Sequence, residues 1–130
     1  MRAVVDTNAL IYYIFKDQKM HKVARKVLNS LSIWLIPDVV IHELIWFLRG
    51  SGVENKTAFS IISEILTDKR AELLHIRKED YLEAVLNGLD DFEDRAILIA
   101  AYNEGTLVSF DEKLRERASK LRIHLLPEEI

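Results

Sequence analysis

Residues 3–8 read Ala3-Val4-Val5-Asp6-Thr7-Asn8. Successive small and β-branched apolar residues without polar alternation predict a strand buried on both faces. Asp, Thr and Asn are turn and N-cap types, so the strand should stop at Asp6 and a helix should begin there. The same design returns near the other end of the chain, in Thr106-Leu107-Val108-Ser109-Phe110-Asp111. In open α/β sheets, ligands bind beyond the carboxyl ends of the strands, where the strand order reverses. If these two strands are neighbours, Asp6 and Asp111 share one crevice. Either aspartate alone reads as ordinary capping; the pair points to a site.

Working outward, Ala9–Phe15 and Lys19–Leu31 read as helices, the second with Val23, Val27, Leu28 and Leu31 at helical spacing. Ser32–Ile36 is a strand stopped by Pro37, and Pro37-Asp38 opens a long helix that ends near Gly50-Ser51-Gly52. Asn55–Thr67 is a helix with Phe59, Ile62 and Leu66 on one side. Ala71–Ile76 is a strand that includes His75, and Lys78–Asn87 a helix closed by Gly88. A helix from Asp91 to Glu104 stops at Gly105. It is followed by the strand Thr106–Ser109, a helix over Glu112–Lys120 and a strand over Ile123–Leu126. Alternation of this kind predicts an α/β fold: a mostly parallel sheet of about five strands, with helices on both faces in three layers. No internal repeat and no linker interrupts the pattern, so residues 1–130 read as a single domain.

Composition agrees with a globular chain: of 130 residues, 49% are hydrophobic and 30% charged. The formal charge of −3 argues against a nucleic-acid binder, unless the acids gather where a bound cation inverts the local charge. The absence of cysteine excludes a disulfide framework and a thiolate zinc site, and it fits a reducing cytoplasm. Asp6 interrupts the first apolar stretch, so no signal pattern forms. The longest apolar run is too short to cross a bilayer, so no membrane association is expected.

Two further acids stand out. Glu43 lies three or four positions from Val39, Val40 and Phe47, on or beside the apolar stripe of its helix. A carboxylate in apolar surroundings takes a proton or a cation. Asp94 opens the apolar run Ala96-Ile97-Leu98-Ile99-Ala100-Ala101. Asp91 fits its N-cap, with Asp94 at the third helical position. Asp90 and Glu93 fit an alternative register. Capping does not need four acids within residues 90–94, so some serve another purpose. An acid set with no cysteine is a hard oxygen site suited to Mg²⁺ or Mn²⁺. Two such ions can drive in-line phosphodiester displacement.

Four stretches then resemble the motifs of PIN-domain nucleases, in the family's order and spacing. They are Val4-Val5-Asp6-Thr7-Asn8, the run from Pro37 to Glu43-Leu44, the run from Phe92 through Asp94 to Ala101, and the run from Gly105 through Ser109 and Asp111 to Leu114. Together they cover nearly the whole chain. The resemblance implies a PIN-like three-layer α/β/α fold and Mg²⁺- or Mn²⁺-dependent endonucleolytic cleavage of single-stranded RNA. It puts Asp6, Glu43, Asp94 and Asp111 at the catalytic, metal-binding positions, with Asp91 and Glu93 as alternatives to Asp94. Asn8 and Ser109 would hydrogen-bond those carboxylates. At this size the chain is similar to the VapC toxins of toxin–antitoxin pairs, which implies a homodimer and an antitoxin partner. The alternatives are a housekeeping PIN nuclease of RNA processing and a non-catalytic PIN-like domain that binds RNA or protein.

For substrate phosphates the candidates are Lys16, Lys19, Lys22, Arg25, Lys26, Lys113, Arg115, Arg117 and Lys120. Arg95 could reach either backbone or a neighbouring acid. Ile41, Ile45 and Trp46, with Tyr12, Tyr13 and Trp34, are candidates for a protein-binding surface. No glycine-rich phosphate loop and no histidine zinc motif is present.

Overall fold

A computed structural model describes residues 1–130. Five strands form one parallel sheet: β1 (Arg2–Val5), β2 (Ile33–Pro37), β3 (Ala71–Leu74), β4 (Thr106–Val108) and β5 (His124–Leu126), in the order β3-β2-β1-β4-β5. Seven helices connect them: α1 (Thr7–Ile14), α2 (His21–Asn29), α3 (Asp38–Gly50), α4 (Asn55–Leu66), α5 (Lys78–Leu86), α6 (Phe92–Glu104) and α7 (Glu112–Lys120). The expected α/β fold with its covered parallel sheet is the one observed.

The chain moves outward from β1 through β2 to β3, then returns past β1 to β4 and β5. The order therefore reverses between β1 and β4. Ala3, Val4 and Val5 of β1 are all fully buried, as are Trp34, Leu35 and Ile36 of β2. Successive residues of a strand point to opposite faces, so both faces of the sheet are covered at its centre. Helix α6 crosses β1 and also meets α3, α5 and α7; α1 packs on α2 and α3. At the edge, β3 buries no residue fully: Glu72 and Leu73 are exposed, and Ala71 and Leu74 are half-buried.

Trp34, fully buried, donates its indole N–H to the Leu28 carbonyl at 2.8 Å and meets Tyr13 edge-on at 5.2 Å. These contacts put Trp34 and Tyr13 in the core rather than on a protein-binding surface, which corrects the expectation for both. On α4, the side that carries Phe59, Ile62 and Leu66 is not the fully buried one. Ile65 is the helix's buried residue, whereas Phe59 is 74% exposed and Leu66 lies partly in solvent. A short helix over the half-covered edge strand β3 buries a narrow stripe, and Phe59 falls outside it. His75 lies beyond β3 and stands beside Asp38 at 3.7 Å. No helix is long and apolar enough to cross a membrane.

Leu35 and Phe59 separate the core from the periphery. Leu35→Ala should cost about 2–5 kcal/mol, read as a lower urea midpoint at unchanged slope. Phe59→Ala should stay within about 0.5 kcal/mol. Equal losses in the two variants would overturn the assignment of the core.

Candidate active site

The four acids belong to different elements whose ends meet above the carboxyl edge of the sheet. Asp6 follows β1 directly. Its backbone N–H donates to the Val108 carbonyl of β4 at 3.1 Å, which extends the strand pairing into the reversal point. Its side chain caps α1, with Oδ1 accepting from the Ala9 N–H at 3.0 Å. Oδ2 accepts from the Ser109 hydroxyl at 2.5 Å. The residue is only 3% exposed. Ser109, fully buried, also accepts the Asp111 N–H on its Oγ at 3.2 Å. Asp111 in turn caps α7, accepting from the Lys113 N–H at 3.0 Å.

Glu43 projects from the second turn of α3 at intermediate burial, and Thr7 Oγ1 donates to its Oε1 at 2.8 Å. Of the two polar residues after Asp6, it is thus Thr7 that holds a site carboxylate. None of the hydrogen bonds among these acids involves Asn8, which was expected to share that task. Asp94 occupies the third position of α6. Asp91 stands at the N-cap with φ 62°, in the left-handed region, and makes no side-chain cap bond. Arg95 points away from the acids and donates to the Ala84 carbonyl at 2.5 Å and to the Gly88 carbonyl.

Burial pushes the Asp6 carboxyl from an ordinary 3.8 up to about 7. The hydrogen bonds from Ser109 and Ala9 oppose that rise, and the charges of Asp111 and Glu43 add to it. Glu43 is also raised, chiefly by burial; Thr7 opposes the shift, and Asp94 and Glu93 reinforce it. Asp94 is raised by burial and by Asp111, and Arg117 pulls it back. Asp6, Glu43 and Asp94 therefore each feel at least one other acid. No three acidic or histidine side chains close round a single point, however. The acids share one field, and each is tethered by its own hydrogen bonds or helix rather than drawn into a cage. All the donors are hard carboxylate oxygens, and the most buried one takes up a proton near neutrality. That chemistry fits a small divalent cation. Asp6, Glu43, Asp94 and Asp111 are the residues that could hold it.

The PIN domain family model matches residues 3–124. The chain belongs to the PIN domain family. Two solved structures share the fold of this PIN domain. One is VapC20 of Mycobacterium tuberculosis, described as a Sarcin-Ricin loop cleaving toxin. It aligns at TM-score 0.73 and 14% identity over 88% of this chain and 94% of that one. The other is VapBC2 from Rickettsia felis, bound to a DNA fragment from their promoter. It aligns at TM-score 0.70 and 20% identity over 96% of this chain and 97% of that one. No curated protein matches the sequence.

The basic residues of this PIN domain divide by what they already hold. Arg115 donates to the Ser109 carbonyl at 2.9 Å and the Pro127 carbonyl at 2.7 Å, so it braces the end of β4 and is committed to backbone. Arg25 lies over the Tyr13 ring at 4.1 Å, and Lys120 pairs with Glu116 at 3.7 Å. Arg117 is half-buried, takes part in none of the ion pairs, and acts on Asp94. The sequence names all of these cations alike, because commitment to carbonyls leaves no pattern in it.

Asp6 makes stability depend on pH in a definite sense. Unfolded, it ionises near 3.8; folded, near 7. Between those values the native state holds the extra proton, so its contribution to stability is lost as pH rises through that window. In metal-free buffer, Asp6→Asn should melt at least about 4 °C above the wild type at pH 8, equivalent to ~1 kcal/mol or more. The gap should close towards pH 4. Thermal unfolding across pH 4–8 checks this; a variant less stable than the wild type at pH 8 would overturn the reading of Asp6.

Proposed function

We propose that this PIN domain is a divalent-metal-dependent endoribonuclease that hydrolyses phosphodiester bonds in single-stranded RNA. The observation that carries the reading is the buried, doubly hydrogen-bonded Asp6 at the strand-order reversal, with Asp111, Glu43 and Asp94 in its field. An isolated buried carboxylate destabilises a fold. Several together are retained where a cation, present during function, compensates them.

Asp6, Asp94 and Asp111 would hold Mg²⁺ or Mn²⁺, with Glu43 as a further ligand or as the residue that orients the attacking water. Such a cation polarises the phosphodiester and stabilises charge on its oxygens. The chain's own residues supply the rest. Ser109 and the Ala9 amide each hold one oxygen of Asp6, so the carboxylate is positioned in advance. Thr7 fixes one oxygen of Glu43 and leaves the other free. Burial raises the proton affinity of Glu43, which suits it to accept a proton from water near neutral pH. Asp91 and Glu93 add negative charge beside Asp94 and remain its alternatives.

The exposed apolar surface supports a toxin of a toxin–antitoxin pair over a housekeeping nuclease. Ile45, Leu48, Val53, Phe59 and Ile62 line a groove of about 560 Å³ between α3 and α4, and Trp46 beside it is 69% exposed. A groove this apolar suits an antitoxin segment. Leu82, Leu86 and Leu89 form a second exposed stripe along and beyond α5, suited to a second copy of the chain.

Purified protein with Mg²⁺ or Mn²⁺ should cut single-stranded RNA, and chelation should stop it. Asp6→Asn should lose at least ~100-fold in rate, the scale of losing a positioned catalytic group. Mn²⁺ should raise the melting temperature of the wild type and not of Asp6→Asn. Full activity in Asp6→Asn, or equal stabilisation of both proteins by Mn²⁺, would overturn the proposal.

A further inference from the structure

Beside the acids, and lined by none of the four, the chain forms a second depression. It is a groove of about 700 Å³ between α5, α6 and α7, within the range of ~300–1,000 Å³ typical of ligand sites. Arg95, the residue after Asp94 in α6, lines it and joins it to the acids, and Arg117 lies at its α7 wall. The groove and the acid cluster are thus adjoining parts of one surface.

The groove's cations are unequal. Arg77 is paired with Asp80 at 3.1 Å, and Arg95 is committed to the Ala84 and Gly88 carbonyls. Arg117 has no anionic partner in an ion pair. The α5 wall carries Glu79 and Glu83, which repel phosphate. The floor is apolar, from Leu98 and Ile99, and next to it Tyr102 is 63% exposed beside Asn103. An arginine outside any ion pair and an exposed aromatic ring lining one groove, with the Asn103 amide, supply what an unpaired nucleotide needs: a cation for its phosphate and a π-face for its base.

We propose that this groove is the RNA-binding subsite flanking the cleavage point, with Arg117 holding a phosphate next to the scissile one and Tyr102 stacking on an unpaired base. It rests on the ribonuclease reading above. The charges set the direction of the strand. Its backbone follows α7, where Arg117 is free, and its base turns towards α6, because Glu79 and Glu83 exclude phosphate from α5. Duplex RNA offers no splayed base to Tyr102, so the subsite selects single strands.

The test uses a short fluorescein-labelled single-stranded RNA and the full chain carrying Asp6→Asn, so that binding is measured without cutting. In fluorescence anisotropy over a KCl series, adding Tyr102→Ala should weaken binding about tenfold. Adding Arg117→Gln should lower the slope of log affinity against log salt by about 0.7, one phosphate contact on a single strand, and Arg117→Lys should restore it. With Asp6 intact, Tyr102→Ala should raise KM more than it lowers kcat. If both variants bind with unchanged affinity and slope while the wild type cuts RNA, the groove is not the subsite and the ribonuclease reading stands. If Arg117→Gln slows cleavage at saturating RNA with no change in slope, Arg117 acts only through Asp94 and the phosphate contact is overturned. If the wild type neither binds nor cuts RNA, both readings fall.

Discussion

The hydrogen bond from Ser109 to Asp6 joins residues 103 apart in sequence, across the point where the strand order reverses. Backbone bonds surround it: the Asp6 N–H donates to Val108, and the Ser109 N–H donates to Leu126 of β5. The side-chain bond therefore sits in a continuous network across β1, β4 and β5. The Asp111 N–H bonds to the same serine oxygen, so one hydroxyl ties together both strand-end aspartates. A buried hydroxyl without partners would be costly. With both roles filled, it holds the two acids in a fixed relation while the helices they cap carry the chain away. Glu43 and Asp94 reach the same crevice because α3 and α6, the helices that bear them, pack against each other.

That geometry opposes the electrostatics. Burial raises the proton affinity of Asp6, Glu43 and Asp94, and the charges of neighbouring acids raise it further. The chain has basic residues nearby that could have neutralised them. Arg115 is close enough to interact with Asp6 but donates to carbonyls instead. The crevice thus keeps a standing negative potential. Local rules of good packing are broken at sites whose ligand restores the balance, and here the breach is confined to the carboxyl edge, above a core that obeys those rules.

The sheet was legible in the sequence because buried parallel strands read as unbroken apolar runs, as in Val4-Val5 and Leu35-Ile36, and because Gly105 stops α6 with the positive φ that such a stop requires. Asp6 and Asp111 were legible as strand-end acids. The partners of the carboxylates were less so. Thr7 and Asn8 are both short polar residues after Asp6, and only the rotation of α1 against α3 turns Thr7 towards Glu43. The burial of Trp34 and Tyr13 was hidden for a related reason. Aromatic residues suit both cores and interfaces, and what decides is the helix packed over them. On α4 the apolar residues exceed one stripe, so periodicity could not tell that Ile65 faces inward and Phe59 outward.

The arginines carry the same point into function. Arg95, Arg115 and Arg117 are alike in the sequence, each on a helix near an acid. In the fold, Arg95 ties the end of α5 to α6 and Arg115 ties β4 to the C-terminal segment, both through carbonyl oxygens. A guanidinium held by two carbonyls keeps its charge but has fewer donors left for a phosphate. Arg117, without an ion-pair partner, retains both charge and donors, and it stands where the acid cluster meets the groove. A crevice of acids repels a polyanion unless positive charge guides the strand in. In a chain with a formal charge of −3, that attraction has to come from particular uncommitted side chains and from the cation, not from the overall charge.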